Sequence, residues 1–209
     1  RSYYHKPVSS DGKTVVFKDN VEVDANGAKY DVFLRIYNYS DNSWNLSTIN
    51  VSTNESHGVS EHFQIKISAD GKTIAYGNYA NAYGGQGGGY IKVYRIENGV
   101  WDQLGNTLTQ DTEIVNIGEN MQISDDGTII AVTPRLKETK TNHGAELRVV
   151  RLYIYDSSNK IWVKHGDDLN EDGTTVNSTY TNFGQIMSLS GMDQGAIFVG
   201  TCLAAAIAC

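Results

Sequence analysis

Proline is almost missing from this chain, at two of 209 residues. That scarcity excludes a proline-rich extended linker and leaves the strands free of ladder-breaking residues. Cysteine is equally scarce. The only two, Cys202 and Cys209, lie in the last eight residues, so the body of the chain folds without disulfides, and these two can pair with each other or with another chain. Basic residues are in the minority, 17 Lys and Arg against 24 Asp and Glu. The net charge of −7 argues against nucleic acid or an anionic membrane surface as partner, since both require clustered cations. The uncharged C-terminal stretch, 196–209, is shorter than the roughly 20 residues of a spanning helix. It reads as a buried strand over 196–200 with an Ala-rich tail; a truncated hydrophobic helix or an anchor to a neighbour is the alternative. There is no signal peptide, and Arg1 in place of Met reads as a processed or excised segment.

Glycine and tyrosine, in contrast, are plentiful, at 21 and 13 residues. Glycine supplies turns and tyrosine favours half-buried strands, so the composition points to an all-β fold. With 40% hydrophobic and 20% charged residues, the chain can build a core and is not disordered.

The main signal is internal repetition. Three segments align: Ser10-Asp11-Gly12-Lys13-Thr14-Val15-Val16-Phe17, Ala69-Asp70-Gly71-Lys72-Thr73-Ile74-Ala75-Tyr76 and Asp125-Asp126-Gly127-Thr128-Ile129-Ile130-Ala131-Val132. A looser fourth runs from Ser190 to Val199. Alternating runs follow in phase, Tyr30 to Tyr39, Tyr90 to Ile96 and Glu146 to Tyr155, each predicting a strand with one buried face. All three tryptophans, Trp44, Trp101 and Trp162, come next at the same phase. Each unit therefore predicts a strand, an Asp-Gly turn, a second strand, a loop, a long third strand, a turn and a Trp-bearing fourth strand. Four antiparallel strands in 55–65 residues make one β-propeller blade. The units are approximately 1–57, 58–115, 116–180 and a partial 181–209, about three and a half repeats in a single domain over 1–209. Because a lone blade cannot bury both faces, blades must stack, with Trp44, Trp101 and Trp162 expected in the joints. An incomplete ring exposes an edge, which predicts a partner chain, a missing segment or an interlocked copy.

The phrases Ile67-Ser68-Ala69-Asp70-Gly71-Lys72-Thr73-Ile74-Ala75, Gly89-Tyr90-Ile91-Lys92-Val93-Tyr94-Arg95 and Asn98-Gly99-Val100-Trp101-Asp102-Gln103-Leu104-Gly105 resemble FG-GAP repeats. These are the integrin-α-like propeller repeats of large surface proteins in marine microbes, algae and giant viruses. Phe183-Gly184 matches the opening Phe-Gly of that family, whereas Phe63-Gln64 and Ile117-Gly118 depart from it. The resemblance covers nearly the whole chain and implies a propeller fold. It implies no calcium site, because a short Asp-Gly turn stands where calcium-binding members carry a longer Asp-rich loop.

Several segments suggest chemistry. Asp168, Asn170 and Asp172, followed by Gly173, have the spacing of a calcium loop, but Thr179 stands where the bidentate acid belongs. An acidic surface loop is the first reading and calcium, the one cofactor considered, the second. His57 to His62 has one residue too many for a zinc-protease helix, and Gly84 to Gly89 leads into a strand rather than a phosphate-binding helix. Asn38, Asn45, Asn50, Asn54 and Asn177 head glycosylation sequons. No nucleophile elbow or triad spacing appears, so the chain is expected not to be an enzyme. The resulting expectation is a non-catalytic structural or adhesive protein-binding module of an extracellular, cell-surface or virion assembly. Its partners would be other protein chains or copies of itself. A carbohydrate-binding propeller, with Tyr and Trp stacking on sugars, is the alternative; an enzyme on a propeller scaffold ranks third.

Overall fold

A computed structural model describes residues 7–26, 29–56, 63–79, 89–136, 148–169, 186–189 and 197–200. The described residues form strands and turns and contain no helix. The first sheet is a meander of β1 (Thr14–Glu22), β2 (Lys29–Ser40) and β3 (Ser43–Ser56). The second runs β4 (Phe63–Ile67), β5 (Thr73–Asn78), β6 (Tyr90–Glu97) and β7 (Val100–Gln103), and β8 (Leu108–Thr109) also pairs with β6. The third runs β10 (Met121–Ile123), β11 (Ile129–Val132), β13 (Arg151–Asp156) and β14 (Ile161–Lys164). Between these two sheets, β9 (Ile114–Val115) pairs with β12 (Arg135–Leu136). A final pair joins β15 (Ile186–Leu189) to β16 (Ile197–Gly200). All pairings are antiparallel. The second and third sheets are thus complete four-stranded propeller blades. In the first, Val8 bridges Val15 on the side where β4 and β10 flank β5 and β11. The strands β4, β10 and β15 lie side by side, so the blades follow one another around a common axis.

Each blade is opened by the same turn. Gly12, Gly71 and Gly127 have φ of 71°, 71° and 69°, while the Asp before each stays outside the left-handed region. The turn is therefore not a two-residue type I′ hairpin, which requires positive φ at both central residues. A serine two positions before the Asp closes it instead. Ser9, Ser68 and Ser124 donate to Asp11, Asp70 and Asp126 at 2.6 Å. The serine oxygens accept the N–H groups of Thr14, Thr73 and Ile129 at 2.9 Å. Type I′ geometry does occur at the next turn, where Asn98 and Gly99 have φ of 51° and 83°.

One expected strand is shorter than its pattern. Of the alternating run from Glu146, residues 148–155 are described, and the continuous strand begins at Arg151. Thr133 and Pro134 follow the last residue of β11, and Pro134 has no N–H for a ladder. Pairing in the same register continues past it, with Val149 N–H donating to the Pro134 carbonyl at 3.3 Å and Arg148 bridging Arg135, while Val150 also bridges Leu169.

Alternation along the strands sends side chains to two faces, and two cores result. Val16, Leu34, Ile36, Ile49 and Val51 of the first blade meet Ile65, Ile74, Tyr76 and Tyr94 of the second. The opposite face of the second, Ala75, Ile91, Val93 and Leu104, meets Met121, Ile130, Val132, Tyr153 and Trp162 of the third. Each such large apolar side chain, fully buried, contributes about 1.5–3 kcal/mol.

Candidate interaction face

Strand register makes the blades comparable residue by residue. Val15 faces Tyr37, Ile74 faces Tyr94, and Ile130 faces Tyr153. Two residues along, Phe17 faces Arg35, Tyr76 faces Lys92, and Val132 faces Arg151. In the second and third blades this leading face packs on the preceding blade, and Ile74, Tyr76, Ile130 and Val132 are all fully buried. In the first blade no other described blade packs over the same face. Val15, Phe17 and Tyr37 are only half-buried, and Phe17 and Tyr37 meet edge to face at 5.9 Å. A groove of about 560 Å³ lies here, lined by Val15, Phe17, Lys18, Asp19, Arg35, Tyr37 and Trp44.

The cation at this position repeats with a consistent use. Lys92 donates to the Val51 carbonyl of the preceding blade at 2.6 Å. Arg151, 1% exposed, reaches Asp111 at 2.5 Å and Glu113 at 3.1 Å on the connection from the preceding blade. It also forks onto both oxygens of Asp168, at 2.8 and 2.7 Å. Burial opposes the charge on Arg151, but its bonds to Asp168 and Asp111 outweigh that and raise its pKa. Burial by itself would raise the Asp168 carboxyl; hydrogen bonds from Arg151 and Lys164 hold it below the ordinary value instead. Arg35, the equivalent on the open face, binds only within its own blade among the bonds resolved, to Asp19 at 2.9 Å and Thr48 at 3.5 Å.

The tryptophans follow the same logic. Trp162 is 4% exposed and donates its indole N–H to the Leu104 carbonyl of the second blade at 2.8 Å. Trp101 is half-buried against the joint between the first and second blades. Trp44, expected in a blade joint, is 51% exposed and touches Tyr39 at a ring distance of 5.3 Å. That expectation is corrected: among the described residues no blade packs over Trp44.

Asp168, read as a calcium ligand, is an ion-pair partner of Arg151 and Lys164, which occupy both its oxygens. Asn170 and Asp172 lie outside the described residues, as do Asn177, Cys202, Cys209, His57, His62 and Gly84 to Gly88. Among the described residues no cluster of His, Cys, Asp and Glu could hold a metal ion. Asn38 donates to Thr14, Asn45 and Asn50 are exposed, and Asn54 lies on β3. Sequence reasoning missed Phe17, Asp19, Arg35 and Tyr37. A signal existed: Arg35-x-Tyr37, Lys92-x-Tyr94 and Arg151-x-Tyr153 recur in phase with the Asp-Gly turns.

No family model matches the chain, and no curated protein matches its sequence. Three solved structures are similar in fold. A candidate 6-phosphogluconolactonase of Bacteroides fragilis is 20% identical over 79% of this chain and 38% of its own, with a TM-score of 0.46. The β-propeller domain of the Trilobed protease of Pyrococcus furiosus is 14% identical over 85% and 46%, with a TM-score of 0.45. A GH32 β-fructofuranosidase of Bombyx mori is 14% identical over 76% and 35%, with a TM-score of 0.40. The chain spans less than half the length of each. These likenesses concern architecture, and the FG-GAP resemblance gains no support from them beyond the propeller itself. They do correct one expectation. Two of the three are described as enzymes, so the lack of a recognisable catalytic motif does not set such a chain apart from enzymes. Among the described residues no helix is long and apolar enough to cross a membrane. The chain is an all-β protein of antiparallel propeller blades.

Proposed function

We propose that this chain is a structural or adhesive protein-binding module of an extracellular, cell-surface or virion assembly, and that the leading face of its first blade is the docking surface. The observation that carries this reading is the contrast between blades. Positions that are fully buried at Ile74, Tyr76, Ile130 and Val132 are only half-buried at Val15 and Phe17. Aromatic residues with an Arg among them are the side chains that dominate docking energetics. Trp44, Tyr39 and Leu46 add exposed apolar area beside the groove.

Incorporation into the native assembly tests the reading. The chain with Trp44→Asp is expected to fold, because Trp44 is half exposed, yet to be lost from the assembled fraction. Incorporation of this variant at the wild-type level contradicts it. A carbohydrate role has one observation in its favour, the exposed Trp44–Tyr39 pair beside the polar Asp19 and Arg35. Oligosaccharide binding that quenches Trp44 fluorescence would support that role.

A further inference from the structure

We infer that Asn98 is a site of spontaneous covalent modification, at which the Gly99 amide nitrogen closes on the Asn98 side chain to give a succinimide and then aspartate or isoaspartate. A contrast between two kinds of turn carries this, independently of the docking face. Asp11-Gly12, Asp70-Gly71, Asp126-Gly127 and Asn98-Gly99 each place a carboxyl or carboxamide beside a glycine nitrogen in a described turn. All have the atoms for the same ring.

In the Asp-Gly turns both reacting groups are tied down. The glycine N–H, the nucleophile, donates to the carbonyl of Ser9, Ser68 or Ser124 at 2.9, 3.0 and 2.9 Å. The carboxylate, the electrophile, accepts from the serine hydroxyl at 2.6 Å in each turn. It also accepts from the N–H of Lys13, Lys72 or Thr128 at 2.9, 2.9 and 3.0 Å. At Asp11 the Ser9 hydroxyl, with the Lys13 N–H behind it, holds the carboxyl below its ordinary range. Only a protonated carboxyl loses water to a ring, so these bonds protect the aspartate as well as the nitrogen.

Asn98-Gly99 has none of these restraints. Both residues are exposed, and among the described residues neither the Asn98 carboxamide nor the Gly99 N–H finds a hydrogen-bond partner. A Cβ at Gly99 would meet nothing within 4 Å, so water and base reach its nitrogen. The corresponding turns of the other two blades lack the glycine. Ser43 follows Asn42 and Lys160 follows Asn159, so a side chain shields the nitrogen in each. Asn159 is further held by Asp156, which accepts from its Nδ2 at 2.7 Å and from its N–H at 3.2 Å.

The step balances with water alone. The Gly99 nitrogen gives its proton to a solvent base and attacks Cγ of Asn98. An N–Cγ bond forms, the Cγ–Nδ2 bond breaks, and the amide leaves as ammonia with a proton from solvent. Water then opens the ring. Cleavage at Cγ restores the backbone with aspartate at 98, whereas cleavage at the main-chain carbonyl routes the chain through Cγ as isoaspartate. Isoaspartate inserts a carbon into the link between β6 and β7, whose pairs Ile96–Trp101 and Arg95–Asp102 rely on a two-residue turn. Trp101 packs on the core between the first and second blades, and Arg95 donates to the Asp126 and Gly127 carbonyls at 3.0 and 3.2 Å. A change at this exposed turn therefore reaches two blade joints.

Prolonged incubation of the full chain in neutral buffer, followed by peptide mass mapping and labelling with isoaspartyl methyltransferase, tests this. Asn98 is expected to lose its amide many-fold faster than Asn42 and Asn159. Methyl acceptance is expected at residue 98 and not at Asp11, Asp70 or Asp126. In urea, which releases the serine bonds, those three aspartates are expected to become acceptors. Asn26-Gly27, whose glycine lies outside the described residues, is scored separately. Amide loss at Asn98 no faster than at Asn42 overturns the proposal. Loss that yields only ordinary aspartate also overturns it, since direct hydrolysis would then have bypassed the ring. Isomerisation of the Asp-Gly turns as fast in buffer as in urea overturns it as well, because turn geometry would then not control the chemistry. Asn98→Gln, whose longer side chain closes a ring far more slowly, is expected to abolish acceptance on that peptide; acceptance that persists there contradicts the assignment to Asn98.

Discussion

Trp162 donates its indole N–H to the carbonyl of Leu104 across the joint between the second and third blades, at 2.8 Å. The neighbouring Gly105, at φ 74°, leaves room for the ring; a Cβ there would sit 2.9 Å from Trp162 Cδ1. This joint is a pre-shaped slot, and Trp44 is the same residue without one. Trp162→Ala is expected to cost about 3–5 kcal/mol, the usual range for a large aromatic truncated in a core. Trp44→Ala is expected to stay within about 0.5 kcal/mol, as exposed substitutions do. Urea unfolding of the two variants, in dilute solution, checks the contrast.

The turn glycines provide a second contrast. Alanine at Gly12, Gly71 or Gly127 meets the same backbone strain, about 1–2 kcal/mol for a left-handed residue. Only at Gly71 and Gly127 does the added methyl also strike a threonine of the preceding blade. Gly71→Ala and Gly127→Ala are expected to lower the unfolding midpoint clearly more than Gly12→Ala.

Ser68 is buried, donates to Asp70 and accepts the Thr73 N–H. Ser68→Ala leaves a buried N–H unsatisfied and is expected to cost about 1–3 kcal/mol. Thermal unfolding followed by circular dichroism would read the loss, and the equivalent Ser124→Ala is expected to match it.

Acid sensitivity should trace to Arg151. Burial would raise both carboxyls, yet Asp168 is held below its ordinary value of 3.8 by hydrogen bonds from Arg151 and Lys164, and Asp111 by the backbone N–H groups of Glu113 and Ile114 and then by Arg151. A group depressed in the fold stabilises it above the unfolded value, and that stabilisation is lost as pH falls through the folded one. Stability is therefore expected to drop as pH falls below about 4. Asp168→Asn is expected to be less stable at pH 7 and to show a shallower acid decline. Unfolding free energies measured from pH 7 down to pH 2 check both parts.

Much of the architecture is legible in sequence because the repeat states it three times. Asp11-Gly12, Asp70-Gly71 and Asp126-Gly127 mark the turns, and alternation fixes which residues are buried. Three things were not legible. Pro134 cannot return a backbone N–H to Val149, so the ladder thins there, although Val149 still donates to the Pro134 carbonyl and Arg148 pairs with Arg135 beyond it. Asp168 has the spacing of a cation ligand, but its cation is Arg151, 17 residues away along the chain. Trp44 shares the phase of Trp162, yet burial depends on a neighbouring blade, which a residue's own repeat does not specify.

The account turns on one face being open where its equivalents are closed. Hydroxyl-radical footprinting of the dilute chain, read by mass spectrometry, tests this directly. Trp44 and Tyr37 are expected to oxidise quickly, while Trp162, Tyr94 and Tyr153 stay protected. Protection of Trp44 equal to that of Trp162 in the dilute monomer would contradict the account, because it would mean that the first blade is already covered.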